Sequence, residues 1–356
     1  MSRGDRGVRA LLRLPLAFAA ATLLVGAPAF AAQPGLSRNS LEQIPTGSDA
    51  VLGDHYPTVR LTFPGGVVGL PSLTYAVLPW YRPLHLDLYL PPGKSGRHPL
   101  VIYIHGGGWM SGHTRQSGAF ANWPGVLALI ASRGYAVASV EYRLSGEAPF
   151  PAAIQDVKAA IRWLRAHATE YGIDPGRVVV WGGSAGGHLA ALAGVSCGVT
   201  SLNPTAEKRA QIAPSGPEGD CVQGVVSWYG VFDFHHARNG SNNRTVKTFL
   251  GCASQGCTDA QLSVASPATY VKAGEPPMLL IVGSADNVVG PQQSRDFDAL
   301  LRSKGDPVQL LIIPGVNHSF VGTTAASTRA ASLEALQRTF EFIAQTVGPG
   351  SSAAAH

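Results

Sequence analysis

The stretch Arg177-Val178-Val179-Val180-Trp181-Gly182-Gly183-Ser184-Ala185-Gly186-Gly187-His188-Leu189-Ala190 decides the fold. It opens on an apolar, β-branched run, the composition of a buried strand. It ends in small residues and leucine, as a helix packed on a sheet would begin. Between the two, Ser184 sits in a Gly-x-Ser-x-Gly pattern. A sharp strand-to-helix turn forces its central residue into an unfavourable backbone region, and only small neighbours avoid a clash. Such a turn lifts the hydroxyl clear of the sheet, with the free N–H groups of a helix start behind it. A flexible loop, or a small-residue helix start close to a sheet, would also use these glycines. The remainder of the chain discriminates between these.

Outward from this stretch, strands and helices alternate. Residues 100–104 form a continuous apolar strand, 126–132 a short helix and 135–140 another buried strand. Ile154, Val157, Ala160, Ile161 and Leu164 recur at helical spacing, which predicts one helix over 154–171, stopped by Gly172 and Asp174-Pro175. Further strands are expected at 178–181, 224–229, 278–282 and 308–313, and further helices from Ser184, at 292–303 and at 326–346. Upstream lie strands at 58–63, 73–78 and 85–90. In the last of these, Leu84, Leu86, Leu88 and Leu90 point one way and His85, Asp87 and Tyr89 the other, so it is expected to be half-buried. Alternating strands and helices with solid apolar inner strands predict an α/β fold, a doubly wound, mostly parallel sheet with helices on both faces. There are no internal repeats. Segments 198–222 and 234–270 break the rhythm with Gly, Ser, Asn, Pro and Cys. They are expected as insertions on the carboxyl edge of the sheet, where such folds bind ligands. One domain over 51–347 is therefore expected, after a mobile leader at 32–50 and before a disordered tail at 348–356.

The 356 residues are 45% hydrophobic and only 14% charged, a globular composition. Arg3, Arg6, Arg9 and Arg13 precede an apolar stretch from Leu14 to Gly26 and the small-x-small pattern Ala29-Phe30-Ala31. That is the layout of a secretory signal peptide over 1–31, and the apolar run is too short to span a bilayer comfortably. These residues carry +3 of the formal net charge of +5, which leaves +2 on the mature chain. With no Lys/Arg block, nothing marks a nucleic-acid partner. A secreted or periplasmic protein without stable membrane insertion is expected. Cys197, Cys221, Cys252 and Cys257 are even in number, which in an exported chain suggests two disulfides. Three pairings exist, and the local one, Cys197–Cys221 with Cys252–Cys257, is favoured. No ligand spacing supports a zinc site.

A serine hydroxyl attacks only when a base takes its proton. His318, in a loop after the last strand, is the best-placed base. Asp286, just past the strand at 278–282, can fix the tautomer of that histidine and stabilise its charged form. His105-Gly106-Gly107-Gly108-Trp109 comes directly after the strand at 100–104. It lacks the lysine of a phosphate-binding loop. Its glycines let the N–H groups of Gly107 and Gly108 turn inward beside that of Ala185, as an oxyanion hole requires. His105 is expected to brace this loop. His188, one turn after Ser184, is expected to pack or cap, and Asp156, Asp174 and Asp233 to be structural.

His105–Trp109, Gly182–His188, Asp286 and His318, in the order Ser–Asp–His, together resemble the α/β-hydrolase esterases. Within these, the chain is similar to the hormone-sensitive-lipase-like and BD-FAE-like carboxylesterases, and "HLDLYLPPG" at 85–93 before "HPLVIYIHGGGW" is similar too. The resemblance covers roughly residues 70–345. It implies a secreted serine carboxylic-ester hydrolase working through an acyl-enzyme. Ser184, Asp286 and His318 would be catalytic, and Gly107, Gly108 and Ala185 would form the oxyanion hole. Substrates would be small or polymeric esters: short-chain acyl esters, acetylated or feruloylated polysaccharides, or polyesters. It implies no metal and no organic cofactor. Trp109 and Trp228 are candidate substrate-binding residues, with Tyr142 and Phe150 as further candidates. One departure stands out: Gly183 occupies a place where many relatives carry an acidic residue. An amide hydrolase of the same fold, or an inactive hydrolase-like binding protein, are the alternatives.

Overall fold

The computed structural model describes residues 59–78, 81–93, 96–203, 219–237 and 243–348. The expected signal peptide, leader and tail lie outside them, apart from Gly348. The described residues fall in one unit, residues 57–356. Among them, no helix is long and apolar enough to cross a membrane.

Among the described residues, nine strands form one sheet. They are β1 (Leu61–Phe63), β2 (Val67–Ala76), β3 (Leu84–Leu90), β4 (His98–Ile104), β5 (Ala136–Val140), β6 (Ile173–Gly183), β7 (Gly224–Trp228), β8 (Met278–Gly283) and β9 (Val308–Ile313). Their order is β1-β2-β3-β5-β4-β6-β7-β8-β9. The first three pair antiparallel, and so does β3 with β5; every pairing from β5 to β9 is parallel. The helices are α1 (Trp123–Ala131), α2 (Ala152–Ala166), α3 (Ala168–Tyr171), α4 (Ala185–Val195), α5 (Arg244–Leu250), α6 (Asp259–Ala265), α7 (Pro291–Ser303) and α8 (Ala325–Val347). Side chains of α2, α4 and α7 pack on one face of the sheet, those of α1 and α8 on the other. Val178 and Val180 of β6 join the first core and Val179 and Trp181 the second, so the central strand is apolar on both sides. Each large side chain buried there stabilises the fold by roughly 1.5–3 kcal/mol.

Three expectations change. Strand β3 is not half-buried. Asp87 is 4% exposed, because its carboxylate accepts hydrogen bonds from the Ser72 N–H, the Thr114 hydroxyl and the Arg115 guanidinium. Tyr89 beside it is covered by Phe63. The helix expected over 154–171 divides at His167 into α2 and α3, and Gly172 ends α3 in the left-handed region at φ 66°. The described ends of segment 198–222, residues 198–203 and 219–222, do not sit on the carboxyl edge. These ends follow α4, which runs back to the amino edge, and lead into β7 there: the Gln223 N–H bonds the Val178 carbonyl, one residue before the first β6–β7 pair, Val179 with Gly224. The described residues of segment 234–270, which follow β7, lie at the carboxyl edge and contain α5 and α6. Both local disulfides are present, Cys197–Cys221 and Cys252–Cys257.

Candidate active site

Strand β6 ends at Gly183 and α4 begins at Ala185, so Ser184 is the whole turn. Its backbone has φ 56° and ψ −120°, far from the helical or extended basins. The Ser184 N–H is held at 2.9 Å by the Trp228 carbonyl of β7. The glycines around it are required by contact. A Cβ on Gly186 would collide with the Ile104 carbonyl, and one on Gly182 with the Gly186 carbonyl. The departure at Gly183 has a local cause as well. A Cβ there would lie 3.0 Å from the Tyr229 hydroxyl and 3.1 Å from its ring, so the space of an acidic side chain is taken by the phenol.

The three residues singled out for proton transfer come together. Ser184 Oγ is 2.9 Å from His318 Nε2, and His318 Nδ1 is 2.8 Å from Asp286 Oδ2. These partners set the tautomer: Nδ1–H donates to the carboxylate and Nε2 accepts from the serine hydroxyl. Asp286 Oδ1 accepts from the N–H groups of Val288 and Val289 at 2.9 and 3.0 Å. Burial pushes this carboxyl up, but the His318 hydrogen bond and charge and the two backbone donors pull harder, leaving it below its ordinary value. Asn317 Oδ1 accepts from both the His318 N–H and the Asn287 N–H, tying the histidine loop to the aspartate loop. Tyr229, at φ 39°, lays its ring against the imidazole with centroids 4.6 Å apart. Asn317 and Tyr229 were not foreseen. The only sequence signal for the first was an asparagine directly before a loop histidine.

Gly107 and Gly108 have φ values of 109° and 60°. They border the same cavity of about 480 Å³ as Ser184 and His318. Ala185 opens α4, so its N–H has no intrahelical acceptor. Among the described residues, none of these three N–H groups is paired with an acceptor. His105 braces the loop as expected: its ring bonds the Gly106 carbonyl and stacks on Tyr142, and burial lowers its pKa to about 4.

Trp109 borders the cavity but is 4% exposed. Trp228 does not reach the cavity. Its side chain is fully buried on the opposite face and donates to the Thr339 hydroxyl of α8, so it serves the site only through its carbonyl. Tyr142 is likewise core, and Phe150 packs on Phe249 outside the cavity. Segment 234–270 supplies Asn243, Thr245 and Val246 to the cavity wall. Asp233 orders the start of that segment, accepting from the His235 N–H and bonding His236 Nδ1. Gln293 of α7 clamps it by accepting from the Phe232 and Asp233 N–H groups. Among the described residues, no cluster of His, Cys, Asp and Glu could hold a metal ion.

A serine at the strand-to-helix turn of a doubly wound parallel sheet, with its acid and then its base further along the chain, makes this an α/β-hydrolase. Residues 86–301 match the model of the BD-FAE family, and the chain belongs to that family. It is 32% identical to a probable carboxylic ester hydrolase, LipM, of Mycobacterium tuberculosis, over 71% of this chain and 57% of that protein. The chain thus spans a little over half the length of the curated relatives it matches. Among solved structures it is similar to a truncated carbohydrate esterase from gut microbiota, at 28% identity and TM-score 0.64, covering 79% of this chain and 96% of that one. It is also similar to Thermogutta terrifontis esterase 2 phosphonylated by cyclosarin, at 25% identity and TM-score 0.62, covering 78% and 95%.

Proposed function

We propose that this chain is a serine carboxylic-ester hydrolase. The observation that carries this is the unbroken relay from Ser184 Oγ through the His318 ring to Asp286, opening on a cavity. As an ester carbonyl approaches, His318 Nε2 removes the hydroxyl proton and Oγ bonds the carbonyl carbon. The carbonyl oxygen takes the electron pair and is met by the N–H groups of Gly107, Gly108 and Ala185. When the tetrahedral centre collapses, the C–O bond to the alcohol breaks and the imidazolium gives that oxygen its proton. An acyl-serine remains. Water, deprotonated by His318, adds to it, and Oγ leaves as the hydroxyl. Asp286 stays ionised throughout and stabilises the imidazolium. Each oxyanion donor contributes about 3 kcal/mol to lowering the barrier.

A cavity of about 480 Å³ suits a short acyl chain, an acetyl or feruloyl group, or a polyester segment. Two disulfides support export to an oxidising compartment, in keeping with the amino-terminal signal pattern. The test is hydrolysis of p-nitrophenyl acetate, butyrate, octanoate and palmitate by the mature protein and by Ser184→Ala. Turnover that falls with chain length and disappears in the variant is expected. Turnover that survives Ser184→Ala overturns the proposal. Cleavage of p-nitroanilides without esters would assign an amide hydrolase instead.

A further inference from the structure

An oxyanion hole works only if its donors are aimed before the charge appears. Here the aiming is left to a loop with little stiffness of its own. Gly107, Gly108 and Trp109 run consecutively through positive φ, at 109°, 60° and 56°. The glycines adopt this freely, but a tryptophan does not, and such strain persists only where the surroundings over-determine it. The surroundings of Trp109 are specific. Its carbonyl accepts from both the N–H and the hydroxyl of Ser145, at 2.8 and 3.0 Å. Its indole lies flat on Phe249 of α5, with centroids 4.3 Å apart and planes 13° apart. Its Nε1–H donates to His188 Nδ1 at 3.1 Å.

His188 is fully buried, one turn along α4 from Ser184. Its Nε2–H donates to the Ala265 carbonyl at the end of α6, at 2.8 Å. Phe234 and Phe249 present their rings to it edge-on. With Nδ1 accepting and Nε2 donating, the ring is neutral, and burial lowers its pKa to about 4. The chain buries a polar ring and satisfies both of its nitrogens across residues 109, 188 and 265.

We propose that His188 is a positioning residue for the oxyanion loop: by holding the Trp109 indole against Ala265, it aims the N–H groups of Gly107 and Gly108 at the reacting oxygen. This rests on the ester-hydrolase function above. It makes the oxyanion loop and segment 234–270, which also walls the cavity, one mechanical unit. His188 itself touches no substrate.

Trp109→Phe keeps an aromatic ring against Phe249 but deletes the donor together with part of the buried indole; His188→Phe keeps a ring of similar size and deletes both hydrogen bonds. For each, kcat, KM and Tm are measured on p-nitrophenyl butyrate, together with inhibition by a trifluoromethyl ketone, whose adduct with a serine places an oxyanion in the hole. The expected result is a fall in kcat of about 10- to 100-fold with KM within about twofold. The ketone should weaken by the same factor as kcat. The milder Trp109→Phe should show this even if His188→Phe does not fold. If Tm falls while kcat and ketone affinity of the folded Trp109→Phe protein are unchanged, the residue is only structural and the inference is overturned. A wild-type protein that neither hydrolyses esters nor binds the ketone overturns the proposed function and the inference with it.

Discussion

Replacing Asp286 by asparagine tests the relay at its least visible point. The side chain keeps its size, so the outcome depends on which atom faces His318. Two backbone donors, the N–H groups of Val288 and Val289, bind Oδ1 at 2.9 and 3.0 Å. In Asp286→Asn, the amide oxygen must stay with them, because an NH₂ there would meet two N–H groups head on. The amide nitrogen therefore turns to His318 Nδ1, 2.8 Å away in the parent structure. A donor now faces Nδ1, so the imidazole proton moves to Nε2 and points at Ser184 Oγ. The ring cannot then accept the serine proton. Trapping a triad histidine in the wrong tautomer costs about 10⁴-fold in kcat, about 5 kcal/mol of barrier. The assay is kcat for p-nitrophenyl butyrate at pH 8, with Tm confirming an intact fold. A variant that keeps more than about a tenth of parental kcat would refute the assigned geometry, since no correct tautomer would then be needed.

Other consequences arise from particular contacts. Gly183→Asp drives a side chain into Tyr229, whose ring lies on His318, and should lower kcat/KM about tenfold or more; adding Tyr229→Ala should recover part of the loss, and no recovery would discount the contact. Burial, with Asp306 nearby, pushes the Glu275 carboxyl up to about 7 against the opposing Lys272 N–H and charge. The folded state therefore holds this proton more tightly than the unfolded one, so its stabilisation is complete below an ordinary carboxyl pKa and is lost as pH rises to about 7. Glu275→Gln should flatten the fall of Tm between pH 5 and 8, and an unchanged slope would contradict this. Cys197→Ser with Cys221→Ser opens a loop of sequence separation 24. Urea unfolding should show a loss of about 3 kcal/mol, with kcat unchanged because this disulfide sits at the edge of the sheet opposite Ser184.

Much of this site could be read from the chain because its chemistry is local in pattern. A β-branched run, a glycine-flanked serine and small helical residues point to a strand–turn–helix once the surrounding strands and helices alternate, and loop residues directly after apolar parallel strands fall at the same sheet edge. Ser184, Asp286 and His318 were legible for that reason. Trp228 was not, because Gly224–Trp228 is apolar on both faces and such a strand carries no alternation to show which way a side chain points. Asp87 was misjudged for the converse reason. Alternation placed it opposite the leucines, but whether that side meets water depended on Arg115 and Thr114 reaching over it. The described ends of segment 198–222 lie at the amino edge rather than the expected one, by a simple rule: a helix that returns along the sheet delivers the chain to the amino edge. The contact of His188 with Ala265, 77 residues away, has no local signature at all.

The two rims of the sheet carry separate tasks. The amino rim holds Cys197–Cys221, the buried Lys158–Asp220 ion pair and Asp306 capping the Gly274 and Glu275 N–H groups. The opposite rim holds Ser184, Asp286 and His318. Such a division leaves the wall at 234–270 room to vary between related chains, within the limit that Phe234, Phe249, Leu262 and Ala265 of that segment also belong to the buried core. A further limit on any graft there is set at Ala265. What His188 needs there is a carbonyl oxygen at the right point in space, which every amino acid supplies. The carbonyl is therefore independent of residue type at 265, but the fully buried Ala265 admits only a small side chain, and the length and path of the grafted segment are fixed as well.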